Sequence, residues 1–191
     1  MRVCFECIHD LKMGASFEPL REDDLPQFSF KNSTLKYIHP YLTPYVEKVI
    51  SAMPFEHKHQ RILVDVKVHH LKKGEYPAIP GWHIDGLPNI LKASNDNLYH
   101  LFVSGQGCLT QFLPFSVERE LDTKMTPNYN ALFQGIEGTF IPSNTICTYQ
   151  KAPHRASQAQ FDETRLLIRA VETNYLRPRN RFFDVYYERA T

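Results

Sequence analysis

Two short segments about seventy residues apart hold the side chains best suited to chemistry: Gly81-Trp82-His83-Ile84-Asp85-Gly86 and Pro153-His154-Arg155-Ala156. Residues two apart in an extended segment share a face, so His83 and Asp85 can bind one cation together. Trp82 and Ile84 then point the other way and can pack. Gly81 and Gly86 permit tight backbone geometry at either end. His154 follows a strand-like run, where a distant ligand can return to the first pair. Two imidazoles and one carboxylate suit a ferrous ion held on one face, with open positions left for oxygen chemistry. An H-x-D triplet alone arises by chance; the case rests on the joint set, completed by Arg165 eleven residues after His154.

Arg165 sits in a run that reads as a strand, where Arg165, Leu167 and Arg169 face one side and Leu166, Ile168 and Ala170 the other. Two arginines on one face of an apolar strand call for anionic partners, because unpaired buried charge is costly. Arg165 supplies a permanently charged fork for a carboxylate, and Arg169 is positioned to hold an acidic group of a substrate. The bland alternatives stand beside this reading. Each His can be a hydrogen-bonded structural residue, and each Arg can pair with a neighbouring acid or face solvent.

In these residues the sequence resembles the Fe(II)/2-oxoglutarate-dependent dioxygenases. Their signature is H-x-D, a long gap, a distal His, and an Arg or Lys about ten residues later; here these are His83, Asp85, His154 and Arg165. The Gly-Trp-His-x-Asp wording is similar to the taurine-dioxygenase and phytanoyl-CoA-hydroxylase branches. The likeness covers about residues 60–172. It implies metal ligation by His83, Asp85 and His154, co-substrate binding by Arg165, and substrate contact by Arg169. It also implies Fe(II), 2-oxoglutarate and O2 as cofactor and co-substrates, with succinate and CO2 released and a substrate C–H bond oxidised, usually to an alcohol. A cupin-like metal enzyme that does not use 2-oxoglutarate, and a non-catalytic jelly-roll binding module, are the alternatives.

These side chains need a scaffold of strands. Val64, Val66 and Val68 alternate with Asp65, Lys67 and His69 in the clearest one, Arg61 to Leu71. Further strands are expected over 3–8, 98–104, 109–115, 138–141, 145–149 and 165–171. A helix is expected after His39-Pro40, stopped by Pro54. Residues 9–34 read as loop or a covering segment. Residues 87–97 read as a lid and 116–130 as a short helix or a second lid, since loops at a barrel mouth carry specificity. Short strands with turn signals between them predict an all-β fold with a peripheral helix (α+β), a double-stranded β-helix of the jelly-roll, cupin-like kind. One domain over 1–191 is expected.

Composition narrows the partners. Net charge is +1, with 42% hydrophobic and 23% charged residues, so no global field selects nucleic acid or a membrane surface. No apolar run approaches the ~20 residues that span a bilayer. The chain's start lacks a signal-peptide core. A cytoplasmic protein acting on a small, acidic molecule is the expectation. Cys4, Cys7, Cys108 and Cys147 read as free thiols, because Cys4-x-x-Cys7 has no second pair to complete a zinc site. His57-x-His59 and the divergent His69-His70 read as structural or solvated. Arginines and aromatics mix in the tail 177–191, but Asp184 and Glu188 dilute its charge, so a partly exposed tail or subunit contact is expected.

Overall fold

Alternation of apolar and polar side chains organises most of the chain into strands. A computed structural model describes residues 2–78, 80–85, 97–122 and 127–184. Along them run β1 (Arg2–Phe5), β2 (Lys12–Ser16), β3 (Phe28–Thr34), α1 (Leu35–Ile38), α2 (Pro44–Ser51), β4 (Arg61–Leu71) and β5 (Leu98–Ser104). There follow β6 (Thr110–Phe112), β7 (Val117–Glu120), α3 (Tyr129–Leu132), β8 (Thr139–Phe140), β9 (Thr145–Tyr149), β10 (His154–Ala156), β11 (Glu163–Thr173) and β12 (Arg181–Asp184). The protein is mostly β-sheet with few helices. No helix among the described residues is long and apolar enough to cross a membrane.

A seven-stranded sheet runs β12-β3-β4-β11-β5-β9-β2, and all its described pairings are antiparallel. A three-stranded sheet, β10-β6-β8, and the pair β1-β7 complete the strands. Both faces of the large sheet carry apolar clusters, and the face turned from α2 also carries Asp65, His69, Arg165 and Arg169. Val64, Val66 and Val68 of β4, Phe102 of β5, Ile146 of β9 and Leu166, Ile168 and Ala170 of β11 form one core with Val46, Val49 and Ile50 of α2. That helix begins well: Thr43 Oγ1 accepts the Val46 N–H at 3.4 Å, and Pro44 takes the first helical position. Opposite-facing residues Leu63, Leu101, Val103, Cys147 and Tyr149 meet Phe112 and Ile141 in a second core. Outside the small sheet, Trp82 and Ile84 pack with Phe5, Val117, Tyr129 and Phe133. The predicted outward face of Trp82 and Ile84 is therefore occupied, and this packing anchors the segment that carries His83.

Three stretches differ from their sequence reading. Residues 9–34 are not simply loop, because they contain β2 at one edge of the large sheet and β3 beside β4. Regular alternation fails in β3 because its register against β4 shifts between Phe30 and Ser33, where Asn32 takes a positive φ of 46°. Residues 116–130 include β7, which pairs with β1, and the short α3; 123–126 lie outside the described residues. The tail supplies β12, which pairs with β3, and 185–191 lie outside the described residues. Of the other expected lid, 87–96 lie outside the described residues, and Asn97 is buried beside β5.

On the helix-covered face a buried carboxylate fastens the segment after α2 to the sheet. Glu172 is fully buried; its Oε1 accepts the Glu56 N–H at 2.7 Å and the His100 ring Nε2 at 3.2 Å, and its Oε2 accepts the His57 N–H at 2.7 Å. His100 Nδ1 meets Thr148 Oγ1 at 2.9 Å. Whichever way an amide is turned here, its NH2 faces a donor. Glu172→Gln is therefore expected to cost about 3 kcal/mol, lowering the melting temperature by roughly 6–12 °C. Calorimetry reads the loss; a shift under 2 °C would show that the acceptor pair is dispensable.

Candidate metal centre

His83 and His154 meet through the backbone. His83 N–H donates to His154 O at 3.0 Å, and His154 N–H donates to His83 O at 2.9 Å, as one antiparallel bridge. Directly opposed residues project on the same face, and the two imidazole centroids lie 4.4 Å apart. Each ring is turned by its own chain. His83 Nδ1 lies 3.2 Å from Gly81 O, and His154 Nδ1 lies 3.0 Å from Ala152 O. A carbonyl only accepts, so Nδ1 carries the proton in both neutral rings. Both Nε2 lone pairs are then free for a cation.

Asp85 completes the group. Its Oδ2 lies 3.4 Å from His154 Nε2 and accepts the Tyr149 hydroxyl at 2.8 Å, while its Oδ1 accepts from Arg169 Nη1. One ligand atom from each of His83, Asp85 and His154 falls within 4.8 Å of the others. Two nitrogens and a carboxylate oxygen at this spacing fit a first-row divalent ion. Burial works to raise the Asp85 carboxyl, but Arg169 foremost, then His154, His83 and the Tyr149 hydrogen bond, outweigh it and hold the group below the usual carboxylate range. Burial lowers the His154 imidazole to about 4 against the pull of Asp85. The donor set thus includes an ionised Asp85 carboxylate and a neutral His154 imidazole at neutral pH. Burial, helped by Asp85, raises the Tyr149 hydroxyl well above its ordinary value, so it remains a donor.

No protein-family model, curated protein or solved structure matches this chain.

Arg165 projects from β11 into a cavity of about 100 Å³ whose lining also includes His83, His154, Thr110, Tyr149 and Arg169. It is 2% exposed. Its Nε donates to Cys108 O at 3.0 Å and its Nη2 to Thr110 Oγ1 at 3.3 Å. Both partners are neutral, and no carboxylate among the described residues lies within ion-pairing distance of it. Burial lowers the guanidinium from its ordinary value, partly offset by Cys108 and Glu163; an arginine nonetheless stays protonated. Facing it across the β11–β4 pair is His69, 5% exposed, which burial and the charge of Arg165 lower to about 3. A larger cavity of about 500 Å³, lined by residues including Leu20, Arg21, His70 and Phe161, touches none of the three candidate ligands. Chemistry rather than volume therefore picks out the smaller one.

Arg169, expected from sequence to hold an acidic substrate, meets the protein's own acids: Asp85 through Nη1 and Asp65 through Nη2. Asp65, Thr110 and Tyr149 are site residues that the sequence reading did not single out. Asp65 left a trace, as an acid on the inward face of a valine-rich strand. Thr110 and Tyr149 left none, since a hydroxyl at a strand end is ordinary. The remaining histidines fall elsewhere or play other parts. His59 Nδ1 lies 3.9 Å from Glu172, His70 Nδ1 meets Thr164 Oγ1 at 2.9 Å, and His69 lines the small cavity as the opposite face from His70 requires. All four cysteines are free thiols, Cys4 exposed and Cys7 buried.

Proposed function

We propose that this protein is a non-haem Fe(II)- and 2-oxoglutarate-dependent oxygenase on a double-stranded β-helix scaffold. The observation that carries the proposal is the buried charge of Arg165. A guanidinium removed from water without a carboxylate is costly. This one opens on the same cavity as His83 and His154, the two imidazoles of the His-Asp-His group. An anion that also reaches the metal would satisfy both, and 2-oxoglutarate has a carboxylate at each end. The scaffold reading is supported by the seven- and three-stranded sheets whose facing side chains enclose the cavity.

His83, Asp85 and His154 would hold the ion. When bound, Fe(II) with 2-oxoglutarate and O2 supplies the oxidising power for attack on a C–H bond, 2-oxoglutarate being converted to succinate and CO2. The chain's own residues do the rest. Arg165 binds the distal carboxylate through its fork, with the Thr110 hydroxyl beside it to fix the guanidinium plane. The Gly81 and Ala152 carbonyls keep the protons of both imidazoles on Nδ1. The Tyr149 hydroxyl holds Asp85 Oδ2. The apolar walls, Leu101 and Leu167 among them, limit water at the site.

The direct test is succinate release from 2-oxoglutarate by purified protein with Fe(II), ascorbate and O2, run with and without small-molecule libraries. Turnover above the metal-free control is expected even without a substrate. Metal binding without 2-oxoglutarate consumption would instead favour a metal enzyme that takes its substrate directly.

A further inference from the structure

The metal reading leaves one arrangement unused: a line of charged groups running from the large sheet to Asp85. Asp65, 3% exposed, and Arg169 stand directly opposite each other in the β4–β11 register. Arg169 Nη2 donates to Asp65 Oδ2, and Arg169 Nη1 donates to Asp85 Oδ1. Asp65 is itself held, its Oδ1 accepting the Asn32 N–H at 2.6 Å from the irregular stretch of β3.

Asp85 lies outside every strand, so no ladder fixes its direction. Its side chain takes its orientation from two donors on the large sheet, Arg169 of β11 and Tyr149 of β9. Arg169 occupies Oδ1. Oδ2, which accepts from Tyr149, is the oxygen beside His154 Nε2. The charges also balance: Asp65 cancels Arg169, so Asp65, Arg169 and Asp85 together carry the charge of one carboxylate. A divalent cation bound there would keep net positive charge for an anionic co-substrate.

We infer that Asp65 and Arg169 are positioning residues for Asp85, a braced ion pair that directs one carboxylate oxygen to the metal without adding charge to the site. This rests on the metal reading above, and it gives Arg169 a role other than substrate contact. Groups behind a metal ligand typically change affinity by about 10–100-fold.

The test is Mn(II) affinity by electron paramagnetic resonance titration, in wild type, Asp65→Asn and the double variant Asp65→Asn/Arg169→Met. Asp65→Asn removes both the brace and a negative charge, so it should weaken Mn(II) binding by about 10–100-fold. In the double variant net charge is unchanged, so a loss of at least about tenfold there reports positioning alone. Melting curves of the metal-free proteins verify folding, and if the double variant does not fold, Asp65→Asn/Arg169→Leu, whose net charge is likewise unchanged, takes its place. Affinity within twofold of wild type in a folded variant, or tighter, overturns the inference while leaving the metal reading intact. A wild-type protein that takes up no Mn(II) overturns both.

Discussion

Asp85→Ala and His83→Ala should each fold and yet retain no stoichiometric Mn(II), Ni(II) or Fe(II) after dialysis. The loss expected is at least about a thousandfold in affinity, roughly 4 kcal/mol. On the proposed assignment three protein donors would anchor the ion, and removing one would leave a pair too weak to hold it against buffer. Folding should survive because neither change strands a charge. With Asp85 gone, Arg169 still has Asp65. With His83 gone, the reciprocal backbone bonds to His154 remain, since they need no side chain. Elemental analysis gives the metal content and circular dichroism verifies the fold. Variants that keep one equivalent of metal would refute the ligand assignment.

Arg165→Ala should abolish stabilisation by N-oxalylglycine, an unreactive analogue of 2-oxoglutarate, in the metal-loaded protein. In wild type, ligand at a hundredfold excess over its dissociation constant adds about 2.7 kcal/mol, a rise of roughly 5–10 °C for a chain of this size. Arg165→Lys should keep a fraction of that shift, having the charge but not the planar fork. A second readout follows because no carboxylate among the described residues pairs with Arg165. Arg165→Met exchanges a buried charge that no carboxylate among the described residues pairs with for apolar volume, which removes the desolvation cost of that charge. The ligand-free variant should therefore melt no lower than wild type. A structural arginine would behave in the opposite way, with a lower melting temperature and an undiminished response to N-oxalylglycine. That outcome would remove the main support for 2-oxoglutarate.

Much of the scaffold was legible because strand periodicity is local. The valines of β4 and the Leu166, Ile168 and Ala170 row of β11 announce their buried faces in a few residues, and both strands form with those faces against α2. β3 was hidden because its register shift at Asn32 breaks the alternation. β12 was hidden because its neighbours are arginines and its partner, β3, is about 150 residues away in sequence. An edge or irregular strand is defined by what it pairs with, and a one-dimensional pattern does not hold that information.

The same division runs through the site. The sequence alone determined the candidates: His83 and Asp85 share a face because side chains in an extended chain repeat every two residues, and Arg165 and Arg169 share one for the same reason. It also made Trp82 and Ile84 the residues that pack behind them, as they do. Only the tertiary structure decided the electrostatic partners. His83 and His154 are joined by two backbone hydrogen bonds across 71 positions. Arg169 is neutralised by Asp65 and Asp85 from two other segments, while Arg165, four residues earlier on the same strand face, meets none among the described residues. Side-chain direction follows from local geometry, whereas the energy of a charge depends on everything folded around it, and that is why two arginines alike in sequence end in opposite environments.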